Sequence, residues 1–151
     1  MTKFEPQNPD YKAVVKSSFE CQNIMATLGA KLVSITPGRA EIEMNFDKRF
    51  TQQHGFLHAG TVTTLADSAC GYAALSLMPP DSAILAVEFK VNFLSPAQGE
   101  RFTAIGDVLK GGKTITVCQG QVFAHKNGNL KLVAQMQATM MRLAGKKDIT
   151  G

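Results

Sequence analysis

Asp67 is the one formally charged residue between Arg49 and Asp81, and it lies in the small-residue run LHAGTVTTLADSACGYAALSLM. Burial disfavours an ionised carboxylate and can raise its pKa by several units. Such a group is costly to a folded chain unless it is stabilised or used. Asp67 is therefore the first candidate for chemistry.

A second chemical feature lies eight residues before Asp67, where Ala59 and Gly60 follow His58 at the predicted start of a helix. The first N–H groups of a helix have no partner within it, and the helix dipole makes them attractive to negative charge. Gly55, Ala59 and Gly60 also keep this region free of bulk, so a carbonyl group can approach the backbone closely. The start of the helix is a candidate oxyanion site.

Two helices are predicted to build the frame around these residues. The first, at about residues 10–28, has apolar residues at helical spacing and ends before Gly29. The second runs from about His58 to Leu77 and is built from Ala, Gly, Thr, Ser and Leu with hardly any polar face. A helix of this composition is typically surrounded by protein, so we expect it to lie in the core.

Strands are predicted on both sides of the core helix. A hairpin with one buried face comes before it, and alternation of apolar and polar residues dominates the chain after Asp81. Short turns such as KGGK and KNGN favour antiparallel pairing, because parallel strands need much longer crossovers. The predicted strands are Lys31–Thr36, Arg39–Phe46, Val87–Phe93, Arg101–Val108, Thr114–Phe123 and Leu130–Leu143. We expect an α+β fold in which one antiparallel sheet of five or six strands wraps one long central helix.

Length and composition predict one domain, residues 1–151, of ordinary soluble character, with 44 % apolar and 19 % charged residues. No apolar run approaches the roughly 20 residues that cross a bilayer, and the start MTKFEPQNPDYK lacks the apolar core of a secretory signal. We therefore expect a cytoplasmic protein with no membrane partner. The net charge of +4 is scattered over the chain, which fits an anionic small ligand better than a nucleic acid.

Metal and disulfide chemistry find little support in the sequence. The three cysteines, Cys21, Cys70 and Cys118, have no CxxC spacing and lie in contexts typical of small buried hydrophobes. His54 and His58 are four residues apart, but the glutamate of an HExxH motif is absent and Gly55 breaks the helical face. We expect neither a disulfide nor a metal site.

The spacing of the candidate residues resembles a known pattern. Gln52 is followed after five residues by His58-Ala59-Gly60, and after six more by Asp67. This array resembles the Asn/Gln, His-Gly-Gly and Asp/Glu pattern of PaaI-like acyl-CoA thioesterases, which have the hotdog fold. The resemblance covers about residues 25–143, and the run QQHGFLHAG also resembles a bacterial subgroup that acts on medium- and long-chain acyl-CoA.

The resemblance implies hydrolysis of a fatty acyl-CoA or aryl-CoA to the free acid and coenzyme A, with no cofactor besides coenzyme A as part of the substrate. Asp67 would be the general base or the nucleophile, and the Ala59 N–H would polarise the thioester carbonyl beside Gly60. Gln52 would orient the carbonyl or the water, and His58 would cap the helix. Phosphates of coenzyme A would meet basic residues near the KGGK turn, namely Lys110, Lys113 and Arg142.

The chain departs from the family pattern where some relatives have a Ser or Thr that assists the water. The matching positions, Gly71 and Ala86, have no hydroxyl, and Ser68 and Thr64 are the substitutes to consider. Two other functions remain open, a hotdog dehydratase or hydratase of acyl thioesters and a non-catalytic acyl-CoA-binding protein. The first lacks its His-x-Phe-Pro-Gly type of signature here, and a sensor would need a DNA-binding module that the N-terminal segment does not resemble.

Distance determines how the site is assembled. Eight residues of helix separate Ala59 from Asp67, which at about 1.5 Å per residue is about 12 Å. One subunit is therefore unable to apply both groups to one acyl carbon. If two copies pair about a twofold axis with their long helices antiparallel, Asp67 of one chain faces Ala59 of the other. We expect a homodimer with shared sites, or a tetramer built from such dimers.

Overall fold

The computed structural model describes residues 4–145, so the outer ends of the predicted domain, 1–3 and 146–151, lie outside the described residues. The described chain contains three α-helices, six strands and a short 3₁₀ turn at Lys48–Phe50. The helices are α1 (Tyr11–Cys21), α2 (Asn23–Leu28) and α3 (Ala59–Leu75). The strands are β1 (Lys31–Thr36), β2 (Arg39–Asn45), β3 (Ser82–Phe93), β4 (Arg101–Gly111), β5 (Ile115–Lys126) and β6 (Asn129–Ala144).

The six strands form one antiparallel sheet in the order β1-β2-β4-β5-β6-β3, and α3 packs against it. The expected fold class is confirmed. Consecutive strands pair as predicted from β4 to β6, and Asn127 and Gly128 form the tight turn of the last hairpin with positive φ angles of 50° and 76°. β3 does not pair with β4. It lies beyond β6 and forms one edge of the sheet.

The segment predicted as one helix at 10–28 is two helices. Gln22 takes φ −82° and ψ 100°, which ends α1, and its carbonyl then accepts the N–H of Met25 at the start of α2. The core helix α3 begins one residue after the predicted start, because His58 is its N-cap, and ends at Leu75. Ten residues of α3 are buried, as its small-residue composition predicts.

Several apolar positions are exposed where the alternation of the strands predicts a buried face, among them Val87, Phe89, Phe93 and Leu130. A bulge lies between Ala86 and Glu88, so Val87 has no partner in β6 and is 54 % exposed. Leu130 is predicted to lie on the buried face of the last strand. It is the second residue of β6, next to the hairpin turn, and is 59 % exposed. From Ala134 to Met140 the predicted alternation holds.

Two glycines set the distance between α3 and the sheet. Gly106 of β4 and Gly120 of β5 are directly paired, and both face α3. A Cβ atom on Gly106 would lie 2.3 Å from the carbonyl carbon and oxygen of Ala69, and one on Gly120 would lie 2.9 Å from Cys70 Sγ. The helix backbone therefore rests directly on the sheet at this point, which only residues without a side chain permit.

The end of α3 is attached to the rest of the fold through a buried hydroxyl. Ser76 is 0 % exposed, donates to the Ala73 carbonyl at 2.7 Å and accepts the Gly38 N–H at 2.8 Å. Gly38 lies in the turn between β1 and β2 with φ 78°. The helix is thus held by close packing at its middle and by this hydrogen bond at its end.

Replacing Gly106 with alanine should destabilise the protein, because the new methyl group meets backbone atoms that have no room to move. We expect the free energy of unfolding to fall by about 1–3 kcal/mol, the usual cost of overpacking. Gly71→Ala is the matched control, since a Cβ there meets nothing within 4 Å and alanine favours a helix. Urea denaturation of both variants tests this, and a Gly106→Ala variant as stable as Gly71→Ala would contradict it.

Candidate active site

The start of α3 presents a single free backbone donor. His58 is the N-cap, as expected, and its Nδ1 accepts the Gly60 N–H at 2.8 Å. The carbonyl of His58 accepts the N–H groups of Thr61 and Val62. Within residues 4–145 the Ala59 N–H has no hydrogen-bond partner, and it lies at an exposed position. Of the two candidate donors, Gly60 is therefore occupied by the cap and Ala59 is available.

Gln52 lies in the tight loop that leads into this helix. Thr51 and Leu57 form an isolated bridge across the loop, and Gly55 turns the chain with φ 84°. The Gln52 Oε1 accepts the backbone N–H of His54, which fixes the orientation of the amide. Its Nε2 is left without a partner in the described structure and remains available to donate to a carbonyl oxygen or a water.

Asp67 lies in the middle of α3 and lines a groove of about 700 Å³ between α1, α3 and the β3–β6 edge of the sheet. Its Oδ1 atom is buried and has no hydrogen-bond partner among residues 4–145. Burial raises the pKa of Asp67 above the ordinary aspartate value. A carboxylate with a perturbed pKa on a residue that lines a cavity is a candidate for proton transfer.

The walls of the groove differ in chemistry. Ile84, Ala86 and Met140 make one wall apolar. The α1 wall is mixed, with Ala13 and Val14 beside small polar residues of the helix, and Gln22 follows directly after α1. Gly71 also lines the groove with Asp67. The two positions where some relatives have a hydroxyl, Gly71 and Ala86, therefore both lie in this groove, and neither carries a hydroxyl.

The two substitute hydroxyls are already hydrogen-bonded. Thr64 donates to the Gly60 carbonyl at 2.8 Å and is not among the residues that line the groove. Ser68 does line the groove, and it donates to Gln22 Oε1 at 3.2 Å. Gln22 is a groove residue that the sequence did not predict; the one signal for it was a polar residue between the apolar positions of the N-terminal helix.

The structure does not bring all candidate residues together within one chain. Gln52 and Ala59 lie at the start of α3, and Asp67 lies about 12 Å further along the same helix. Asp67 instead shares its groove with residues of α1, β3 and β6.

The predicted phosphate-binding residues are divided between two places. Lys113 and Arg142 line a second groove of about 370 Å³ near the β4–β5 turn, where Arg142 Nε donates to Ser82 Oγ at 2.8 Å. Lys110 is exposed and does not line this groove, whose lining also includes Glu5.

The cysteines do not offer a nucleophile in the core. Cys70 and Cys118 are buried as expected, and burial raises the pKa of the Cys118 thiol to about 12 and that of Cys70 also above its usual range. Cys21, expected to be buried, is exposed at the end of α1. Within residues 4–145 no three His, Cys, Asp or Glu side chains are placed to hold a metal ion, and none of the helices there has the length and hydropathy to cross a membrane.

Comparison with known proteins shows the family. The family described as Thioesterase superfamily matches residues 54–131. A thioesterase family protein of known structure from Silicibacter pomeroyi is 52 % identical with a TM-score of 0.89, over 89 % of this chain and 99 % of that one. Human acyl-coenzyme A thioesterase 13 is 31 % identical over 85 % of this chain and 91 % of its own length.

The structure of the Escherichia coli PaaI protein has the same fold, with a TM-score of 0.82 at 23 % identity over 93 % of this chain and 98 % of that one. The expected hotdog fold and the expected thioesterase family are both confirmed. The chain belongs to the thioesterase superfamily, as a hotdog-fold thioester hydrolase.

Proposed function

We propose that the protein hydrolyses acyl-CoA thioesters to the free acid and coenzyme A, with Asp67 as the general base or the nucleophile. The observation that carries the proposal is the carboxylate of Asp67, whose buried Oδ1 has no partner among residues 4–145, on a residue that lines a groove of about 700 Å³. A raised pKa makes this carboxylate a stronger base than an exposed aspartate. The name of the human relative supports acyl-CoA as the substrate class.

In the general-base route, Asp67 takes a proton from a water molecule as the water oxygen bonds to the thioester carbon. The carbonyl electron pair moves to oxygen, and this oxyanion accepts hydrogen bonds from the Ala59 N–H and Gln52 Nε2 at the positive end of the α3 dipole. The C–S bond then breaks, and the departing thiolate receives the proton from Asp67. In the nucleophilic route a carboxylate oxygen of Asp67 attacks the thioester carbon, and the C–S bond breaks to release the coenzyme A thiolate. Water then hydrolyses the resulting anhydride to the free acid and the Asp67 carboxylate, and the remaining proton passes to the thiolate.

The site is proposed to form between two copies of the chain. β3 pairs only with β6 among the described strands, and its apolar side chains are exposed on the isolated chain, notably Leu85, Val87, Phe89 and Phe93. Long apolar sheet edges are sites of association. Antiparallel pairing of β3 with its copy about a twofold axis lays the two α3 helices side by side, so that Asp67 of one faces Ala59 and Gln52 of the other.

Lys113 and Arg142 are the residues proposed to meet the phosphates of coenzyme A, with Lys110 at the margin. Met140 lines the groove of Asp67, and Arg142, two residues further along β6, lines the second groove. The two grooves therefore adjoin along one strand. A guanidinium and an ammonium group in the second groove suit a phosphate that extends from a thioester held at Asp67.

Removing the carboxylate of Asp67 should abolish most activity. For Asp67→Asn and Asp67→Ala we expect kcat to fall by about 10²- to 10⁴-fold, the usual contribution of a general base. The assay measures thiol release from a panel of acyl-CoA and aryl-CoA substrates. Asp81→Asn, the same chemical change at an exposed turn, should retain full activity. Equal activity in all variants, or no turnover of any thioester by the wild type, would contradict the proposal.

A mixture of two inactive variants should recover activity if the site is shared. Asp67→Ala and Gln52→Ala subunits, refolded together in equal amounts, should give about a quarter of the wild-type activity, because half of the dimers are mixed and each mixed dimer has one intact site. A mixture of Asp67→Ala with Asp67→Asn serves as the control and should stay inactive. No recovery in the first mixture would argue that each chain carries a complete site.

The burial of Asp67 should also be visible in stability. Because its pKa is raised in the folded state, ionisation of Asp67 destabilises the fold as pH rises through that pKa. Relative to Asp67→Asn, the wild type should therefore lose stability with increasing pH above about 4, the unfolded value, and show no pH-dependent difference below it. Urea denaturation of both proteins from pH 3 to 8 measures this. If the difference between their free energies of unfolding did not change with pH, burial would not be destabilising the ionised carboxylate.

A further inference from the structure

We propose that the side-chain amide of Gln22 holds the hydrolytic water for Asp67, taking the place of the hydroxyl that Gly71 and Ala86 lack. The inference deepens the proposed hydrolysis and rests on it. Gln22 lies at the break between α1 and α2, and it lines the same groove as Asp67. The departure of its backbone from helical geometry places this residue at the wall of the groove.

Gln22 is held by a hydrogen bond to the neighbour of Asp67. Ser68 Oγ donates to Gln22 Oε1 at 3.2 Å, a contact between residues 46 apart in the sequence. This bond uses the carbonyl oxygen of the amide and so fixes which end of the amide is turned away from Ser68. The Nε2 group makes no hydrogen bond among residues 4–145, which leaves two free N–H donors on a residue that lines the groove.

The attacking water needs such a donor. It gives one proton to Asp67 and uses one lone pair to attack the thioester carbon, so its second lone pair is free to accept a hydrogen bond that fixes its direction. The wall opposite α1 offers none, because Ile84, Ala86 and Met140 are apolar there. Elsewhere in the groove the Tyr72 hydroxyl interacts with Ser18. Among the donors that line the groove, Gln22 is the one whose amide is held by Ser68, the residue next to Asp67.

Two variants distinguish a Gln22 that holds the water from a Gln22 that only links α3 to the end of α1 through Ser68. Ser68→Ala removes the hydrogen bond between α3 and Gln22 but leaves the Nε2 donor, whereas Gln22→Met removes both. The two should lose similar stability in urea denaturation, because the same hydrogen bond is lost. We expect kcat for acyl-CoA to fall about 10- to 100-fold in Gln22→Met and at most about threefold in Ser68→Ala, with KM within about twofold of wild type in both.

Further variants complete the experiment. Gln22→Glu keeps the acceptor for Ser68 and lacks the donor, so it should lose at least as much kcat as Gln22→Met. Gln137→Met makes the matched change at an exposed position of β6 and should retain wild-type kcat. Equal loss of kcat in Ser68→Ala and Gln22→Met would overturn the role of Gln22, and so would wild-type kcat in Gln22→Met or Gln22→Glu. Neither result would contradict the proposed hydrolysis itself. A wild-type protein that releases no thiol from any acyl-CoA would contradict the proposed function, and the role of Gln22 would fall with it.

Discussion

The close approach of α3 to the sheet at Gly106 and Gly120 is the contact on which the other features depend. Because neither residue has a side chain, the backbone of Ala69 and the side chain of Cys70 rest on the strands themselves. A helix seated this deeply is covered on most sides, which explains why nearly all of its residues are small or apolar. The depth of α3 also sets the depth of Asp67, since the carboxylate projects from the same turn of helix as Ala66 and Cys70.

The same burial has opposite effects on stability and on chemistry. Removing water from Asp67 raises the cost of its negative charge, and that cost is borne by the folded state. It also makes the carboxylate a better proton acceptor, and no hydrogen bond among residues 4–145 offsets the burial of Oδ1. A salt bridge to this carboxylate would have stabilised the fold and weakened the base. The described structure has no such cation beside Asp67, whereas Arg39 pairs with Asp107 on the other side of the sheet at 2.8 Å.

The sequence predicted those parts of the structure that depend on local patterns. Alternation located the strands, small residues located the core helix, and the Asn127-Gly128 turn was recognised from residues that tolerate positive φ. The pairing of β3 with β6 was not predicted, because it joins strands that are far apart in the chain and no turn specifies it. The bulge at Val87 shifts the phase of an alternating pattern without changing the residues that make it, so spacing alone does not reveal it.

The residues of the candidate site likewise fall into those that the sequence predicted and one that only the fold reveals. Gln52, His58, Ala59 and Asp67 lie within one stretch of chain, so their spacing was visible in the sequence. Gln22 reaches the groove only because α1 ends at that residue and folds against α3, where Ser68 holds it. Of α1 itself only Val15 and Phe19 are buried, so few apolar contacts attach this wall to the core. The Ser68–Gln22 hydrogen bond therefore fastens the end of a weakly packed helix over the groove, and under our proposal it also orients the Gln22 amide for the water that Asp67 activates.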